Sequence, residues 1–202
     1  MLRRWNLLPT RTALALAIGG GLLAFGSAAL AVSALLAPGA TIVVPATTAA
    51  TEPTLAGVVE LDNLVPFVIR SPAGALICEG KLQDRVVRST STNRLDFYYA
   101  IRDTNGPGAV ARILTGDFSG LPLRAGYRTD GLGTVPPRTA KRSAAPGAGV
   151  LFTFTDPPVF CANHQESRFI LIRTPVTAFH SGGSTQIVAT TGASIVVPTA
   201  KP

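Results

Sequence analysis

The amino-acid sequence predicts an all-β protein, an antiparallel β-sandwich that follows an N-terminal hydrophobic signal helix. Between the two ends of the chain, apolar residues recur with a period of two, which is typical of strands with one buried face. Turn signals rich in Gly, Pro and Asn recur about every 10 residues. After residue 41, Gly, Pro and Thr interrupt each helical pattern before it completes three turns. These patterns leave the topology, immunoglobulin-like or jelly-roll, open.

Residues 1–31 have the layout of a signal peptide. Three arginines lead into an uncharged apolar run over residues 13–37, and the triplet Ala29-Leu30-Ala31, with small residues at its first and last positions, offers a cleavage site before Val32. The paired arginines also match a twin-arginine signal in part. The run is long enough to cross a bilayer, so an inner-membrane anchor at residues 13–37 is the alternative. Its glycines favour cleavage. We therefore expect an exported protein that is periplasmic, on the cell surface or secreted.

The rest of the chain is predicted to hold one domain. Residues 32–56, rich in Thr, Ala and Pro, indicate a loosely attached arm, and residues 57–202 indicate the β-sandwich domain. After residue 31 the chain carries 15 basic and 11 acidic side chains, an excess of four positive charges that is spread along the chain. This distribution favours a solvated surface over a nucleic-acid partner. Membrane contact is expected only through the N-terminal segment, if it stays uncleaved.

The clearest strand runs from Leu95 to Arg102. Its odd-numbered residues are apolar and share one face, while Asp96, Tyr98 and Arg102 lie on the other. Further strands are expected at residues 75–79, 82–88, 110–115, 123–129, 150–155, 169–174 and 186–190, with a shorter one at 139–143. The predicted core consists of Phe97, Tyr99, Phe152, Phe154, Phe169 and Leu171.

The two ends of the domain carry almost the same six residues. Residues 40–45 read ATIVVP and residues 193–198 read ASIVVP. A β-branched run stopped by proline is typical of an edge or terminal strand. These strands are expected to pair with each other or to occupy equivalent places in two sheets, unless the likeness is coincidental.

Cys78 and Cys161 are the two cysteines of the chain. An oxidising compartment would let them form a disulfide. The alternative is that each is a small buried hydrophobic residue. The sequence decides neither, because it does not place the two Cα atoms within bonding distance.

A catalytic site and a metal site are both weakly supported. His164 and His180 are the two histidines, too few for a three-histidine zinc site. The segment from His164 to Ser167 combines a base, an acid and a hydroxyl, which is the basis for a secreted hydrolase as an alternative function. It lies just before an apolar run, so it is also explained as the loop that enters a strand. We expect no catalytic residue, metal or cofactor.

The basic residues after residue 31 are mostly arginine, since three of the 15 are lysine. Arg124 and Arg128 fall on one face of a predicted strand, and Arg102 shares a face with Tyr98. Because guanidinium groups bind carboxylates and sulfate-like groups bidentately, these residues and Tyr127 predict a ligand-binding face for acidic sugars. The alternative is a solvated sheet with ion pairs between strands that involve Asp84, Asp96 and Asp103.

Five segments carry a likeness to known sequences: residues 80–89 (GKLQDRVVRS), 95–99 (LDFYY), 142–143 (RS), 152–154 (FTF) and 166–169 (ESRF). Together they resemble a group of uncharacterised bacterial secreted proteins, some of which carry PEP-CTERM-type sorting tails. The resemblance spans roughly residues 57–197 and implies export and a β-sandwich fold, without an activity. Residues 198–202 lack the hydrophobic helix and basic tail of such sorting signals, so anchoring at this end is not expected.

The sequence therefore predicts an exported, non-enzymatic module that binds or structures material at the cell surface, in the matrix or in the periplasm. An extracellular polysaccharide or a surface protein is the expected partner. A carbohydrate-binding accessory domain and a hydrolase that uses His164 are the alternatives.

Overall fold

The computed structural model describes residues 32–202, and the predicted signal segment at residues 1–31 lies outside the described residues. Within this range no helix is long and apolar enough to cross a membrane. Two single-turn 3₁₀ helices, Pro53–Leu55 and Cys161–Asn163, accompany the strands. The strands are β1 (Ala34–Leu35), β2 (Thr41–Val43), β3 (Ala46–Thr47), β4 (Gly57–Arg70), β5 (Leu76–Ser89), β6 (Leu95–Asn105), β7 (Ala109–Thr115), β8 (Arg124–Arg128), β9 (Thr139–Arg142), β10 (Val150–Thr153), β11 (Val159–Phe160), β12 (Ile170–Arg173), β13 (His180–Ala189) and β14 (Ser194–Lys201).

The strands form two seven-stranded sheets. Sheet A has the order β1-β8-β12-β6-β5-β4, with β3 also paired to β8. Sheet B has the order β14-β13-β7-β10-β9-β2, with β11 also paired to β7. The strand pairs are antiparallel except for the short parallel pair β3–β8. This confirms the all-β, two-sheet prediction, and it is consistent with a sandwich because one buried cluster draws on both sheets.

Strand β6 has the predicted alternation, but both of its faces are buried at the centre. Phe97 and Tyr99 enter the main core together with Phe152 and Phe154, as predicted. Phe169 belongs instead to a second cluster on the outer face of sheet A. Leu171 joins Phe169 there. Both residues are buried, as predicted, but their predicted place between the two sheets was wrong, because β12 presents Ile170 and Ile172 to the main core. The second cluster consists of Leu55, Val87, Tyr98, Ala100, Phe169 and Leu171.

The sequence prediction misses β4 and divides β5 in two. Strand β4 lies at the edge of sheet A, where Val58, Val59 and Val68 are exposed and its internal Pro66 is tolerated, so the alternating pattern is obscured. Strand β5 continues through Gly80, where its register with β6 shifts. A Cβ atom at Gly80 would lie 2.8 Å from the backbone oxygen of Arg102, so this close approach requires glycine.

The two similar end segments form opposite edges of one sheet. Thr41–Val43 is the β2 edge of sheet B, and Ser194–Lys201 is the β14 edge. The prediction of edge strands is confirmed. The two strands neither pair with each other nor lie in different sheets, so both expected placements were wrong.

The Thr/Ala/Pro-rich arm is paired rather than loosely attached. Strands β1 and β3 both join β8 in sheet A, while β2 joins β9 in sheet B. Between these strands, Leu36 and Val44 enter the main core. Leu36 also falls within the run at 13–37 that the membrane-anchor alternative assigns to the bilayer. The arm therefore closes one side of the two-sheet structure.

Cys78 and Cys161 form a disulfide, which confirms that the two cysteines pair. Their Cα atoms are 5.8 Å apart, although the residues are 83 positions apart in the chain. Cys78 lies on β5 of sheet A, and Cys161 lies in the 3₁₀ helix that follows β11 of sheet B. The bond is a covalent link between the two sheets through the core.

Asp84 is a buried carboxyl group that faces the interior from β5. It accepts a hydrogen bond of 2.7 Å from the backbone N–H of Ala200 on β14, and its second oxygen has no hydrogen-bond partner among the described residues. Burial raises the pKa of Asp84 to about 6, against the opposing effect of this hydrogen bond. Asp84 was expected to form an ion pair, and the structure gives it a backbone partner instead.

We predict that loss of the disulfide lowers the free energy of unfolding by about 4 kcal/mol, because the bond restricts a long loop in the unfolded chain. Urea unfolding of the oxidised protein, with and without reductant, measures this difference. The double variant C78A/C161A is the control, and reductant should leave its midpoint unchanged. Equal midpoints for oxidised and reduced wild-type protein would contradict the prediction.

We predict that Asp84 makes the protein less stable as the pH rises. Its pKa is about 3.8 when unfolded and about 6 when folded, so its stabilising contribution is complete below pH 4 and is lost between pH 4 and 6. Asp84→Asn should match wild-type stability at pH 4 and exceed it by about 2 kcal/mol at pH 7. Urea titrations at the two pH values test this. A constant difference between the two proteins at both values would rule it out.

Candidate functional site

Tyr98 and Arg128, two of the predicted ligand-binding residues, line one cleft on the outer face of sheet A. Arg128 donates two hydrogen bonds to Asp130, at 2.6 and 2.7 Å, and one of 3.3 Å to the phenolic oxygen of Tyr98. The hydrogen bonds from Arg128 lower the pKa of Asp130 to about 2. Tyr98 is 3% exposed, so its ring offers no open platform on which a sugar can stack.

The ring of Phe169 in the same cleft is in contact with two further arginines. The guanidinium carbons of Arg85 and Arg102 lie 4.8 and 4.5 Å from its centroid, which is cation–π distance. Each arginine also has a carboxylate partner. Arg85 pairs with Asp62 at 2.6 Å, and Arg102 pairs with Glu166 at 3.2 Å.

We call this region the paired cleft; it encloses about 280 Å³ between Leu55, Arg85, Tyr98, Arg128, Asp130 and Phe169. The three arginines around it are each neutralised by a carboxylate. The ion-pair alternative anticipated paired charges on this sheet, but it named other carboxylates, namely Asp84, Asp96 and Asp103. Asp96 and Asp103 also form ion pairs, with Arg173 and Lys81 respectively.

Arg124 and Tyr127 lie apart from the paired cleft. Tyr127 is half-buried and packs against the main core. Arg124 lies on the outer face, four residues before Arg128, and belongs to a second cleft toward one end of the sheet. Tyr98, Tyr127 and Arg124 therefore do not form one exposed row.

The second cleft is lined by three arginines, Arg94, Arg124 and Arg173, and we call it the arginine cleft. Arg124 and Arg173 are directly opposite each other in the register of β8 and β12. Like charges in this position destabilise a sheet. Within residues 32–202, no carboxylate lines this cleft.

The three guanidinium groups differ in how far their charge is compensated. Arg94 has no side-chain hydrogen bond or ion pair within the described range, and Arg124 bonds only to the hydroxyl and carbonyl oxygens of Ser33. Arg173 pairs with Glu52 and Asp96, both of which are buried. The cleft thus presents two arginines without an acidic partner beside a third whose partners are buried.

Arg173, Glu52 and Asp96 form a buried ionic cluster. Burial alone would raise the pKa of Glu52, but hydrogen bonds from Ser33 and the charge of Arg173 lower it below its usual value. Burial raises the pKa of Asp96 to about 6 despite the opposing charge of Arg173. The pKa of Arg173 is raised, because these two carboxylates outweigh its own burial.

The remaining walls of the arginine cleft combine hydroxyl groups and apolar surface around about 350 Å³. They are formed by Leu35, Thr54, Thr92, Pro122, Leu123, Thr174 and Pro175. Leu35 is 63% exposed. This combination of cations, hydroxyls and flat apolar patches can hold a ligand that is both anionic and hydroxylated.

The segment from His164 to Ser167 attaches to β6. The Nδ1 atom of His164 lies 2.7 Å from the carbonyl oxygen of Thr104, and the hydroxyl of Ser167 accepts a hydrogen bond from the N–H of Ile101. Glu166 accepts a hydrogen bond from Arg102. Each side chain of the suspected catalytic group therefore has a partner in β6.

Comparison of the chain with models of known families, with curated proteins and with solved structures finds no match. The function is therefore inferred from the chemistry of the site.

Sequence reasoning identified Arg124 but missed Arg94 and Arg173. Arg94 lies in the turn between β5 and β6, outside any predicted strand. Arg173 lies in a predicted strand whose faces were assigned the wrong way round, so its position opposite Arg124 on the outer face was not foreseen. The signal that was available is the period-two alternation itself, which groups Arg173 with Leu171 and Phe169.

We predict that Glu52→Gln lowers the free energy of unfolding by about 3 kcal/mol, because it breaks a buried ion pair and leaves Arg173 undercompensated. Glu60→Gln is the matched control, since Glu60 pairs with Arg88 at a more exposed position and should change stability little. Chemical denaturation of both variants measures the effect. Equal losses in the two variants would contradict the assigned role of Glu52.

Proposed function

We propose that the protein is an exported, non-enzymatic module that binds an acidic polysaccharide through the arginine cleft. In this proposal the module works at the cell surface, in the extracellular matrix or in the periplasm. Carboxylate or sulfate groups of the polymer are the ligands of the guanidinium groups.

The observation that carries the proposal is the opposition of Arg124 and Arg173 on neighbouring strands. Glu52 and Asp96 compensate the charge of Arg173, whereas Arg124, directly opposite it, has no carboxylate partner within residues 32–202. An anionic group bound beside Arg124 supplies the counter-charge that no described residue provides there. Arg94 adds a third guanidinium that is free of protein partners within the described range.

The shape and lining of the cleft favour a sugar polymer over a small anion. A volume of about 350 Å³ exceeds what a single sulfate or carboxylate needs. Threonine hydroxyls at Thr54 and Thr92 suit the hydroxyl groups of a sugar, and Leu35 and Pro122 suit its C–H faces. Guanidinium forks bind carboxylates and sulfates bidentately, which fixes the orientation of the chain.

Export is supported by the disulfide between Cys78 and Cys161. Such bonds persist in oxidising compartments and are rare in the bacterial cytosol. The resemblance of residues 57–197 to secreted proteins and the layout of residues 1–31 favour the same location.

We predict that tetragalacturonate binds to the oxidised protein and that its methyl-esterified form, which lacks the charges, does not bind measurably. Arg94→Ala should weaken binding about tenfold, since a charge-assisted hydrogen bond is worth about 1.5–3 kcal/mol. Arg124→Lys keeps the charge but loses the planar fork, so it should also weaken binding. Isothermal titration calorimetry at low and high salt measures these affinities.

Arg70→Ala is the matched control, because Arg70 is an exposed arginine at the end of β4 and its loss changes the net charge equally. It should bind as wild type does. Equal binding of the charged and esterified ligands would contradict the proposal, as would equal weakening by Arg94→Ala and Arg70→Ala. Thermal melts of each variant exclude unfolding as the cause.

A further inference from the structure

Charge is divided unevenly between the two sheets. Seven strands make up sheet B, and within the described chain they contain no aspartate or glutamate. Sheet A contains six acidic residues in its strands, namely Glu60, Asp62, Glu79, Asp84, Asp96 and Asp103. The outer face of sheet B carries the cations Arg112 and Lys141, both of which are exposed.

These two cations have no hydrogen-bond or ion-pair partner within residues 32–202. They lie on β7 and β9, on either side of β10. The register places Arg112 opposite Thr153 and Lys141 opposite Leu151. Both therefore flank the same stretch of β10 on the outer face of the sheet.

A groove of about 420 Å³ runs along this stretch, where β10 ends and β11 begins beside β7. Arg112, Leu151, Thr153, Thr155, Pro158 and Thr190 are among its lining residues. The hydroxyl groups of the three threonines make no side-chain hydrogen bond to another described residue. The acidic residue nearest in sequence, Asp156, pairs with Arg138. The groove thus repeats the chemistry of the arginine cleft, with an unpartnered guanidinium, threonine hydroxyls and apolar walls.

We propose that this groove is a second binding site for the same acidic polysaccharide, and that the protein cross-links polymer chains. The inference rests on the proposed function of the arginine cleft. The commitment to this ligand follows from charge complementarity, because Arg112 lines the groove, Lys141 lies beside it opposite Leu151, and no carboxylate is among its described lining residues.

The placement of the two sites makes cross-linking the expected result. The arginine cleft lies on the outer face of sheet A, and the groove lies on the outer face of sheet B. Packed sheets are about 10 Å apart, so the sites face away from each other across the thickness of the domain. A short oligosaccharide reaches one site, and two chains are needed to fill both. A polymer with many acidic groups then gains avidity from each bivalent protein.

The experiment compares stoichiometry with cross-linking in the oxidised protein. Calorimetry with tetragalacturonate counts the sites, and light scattering with long polygalacturonate reports cross-linking. Wild type is expected to bind two oligomers and to raise scattering strongly with the polymer. R112A/K141A should bind one oligomer at the arginine cleft and lose most of the rise in scattering. Arg94→Ala should weaken one of the two sites about tenfold and leave the other unchanged.

Arg70→Ala is again the control for the single charge that Arg94→Ala removes, and it should retain two sites and full cross-linking. A single site in wild type, unaffected by R112A/K141A and weakened by Arg94→Ala, overturns the second site and leaves the proposed function standing. A single site lost in R112A/K141A and unaffected by Arg94→Ala overturns the arginine cleft. No binding by wild type overturns both.

Discussion

The arrangement of the N-terminal arm depends on the hydrogen bonds and the ion pair that the carboxylate of Glu52 makes. This carboxylate accepts hydrogen bonds from the N–H and hydroxyl of Ser33, at 2.9 and 2.8 Å, and from the hydroxyl of Thr47 at 3.2 Å. It also pairs with Arg173 of β12. A buried carboxylate is costly unless such partners compensate it, so the arm and sheet A stabilise each other. Ser33 in turn accepts hydrogen bonds from Arg124.

This anchoring determines which surfaces of the molecule are covered. The arm adds β1 and β3 to sheet A, and it places Leu55 over the second apolar cluster on the outer face of that sheet. Most of the charges of this face are used in ion pairs between strands. The arginine cleft is the exception, because Arg124 and Arg94 have no carboxylate partner among the described residues. The outer face of sheet B has no such cover from the arm, and its cations Arg112 and Lys141 remain exposed.

Two constraints hold the interior between these faces. The disulfide joins β5 to the turn after β11, and thereby links the sheets through the core. Arg142 adds a polar link at one end: it is 1% exposed and donates hydrogen bonds to the carbonyl oxygens of Leu36, Phe118 and Gly147. Burial lowers the pKa of Arg142, and the three carbonyl groups compensate part of the cost of removing its charge from water. The two surfaces proposed to bind polymer therefore lie on sheets that are linked by the disulfide and by the hydrogen bonds of Arg142.

The sequence by itself determined the all-β class, most of the strands from β5 onward and the edge character of β2 and β14, because alternation and proline act locally. It also identified the two cysteines as a candidate disulfide pair and Arg124 as a candidate binding residue. Only the tertiary structure decided which face of β12 points into the main core, since a strand that is covered on both sides, as β12 is, shows no polar face to fix its orientation. It also decided that Arg173 lies opposite Arg124, because cross-strand neighbours depend on register between distant segments. Whether an arginine has a carboxylate partner depends on those neighbours, so a local sequence pattern does not predict it.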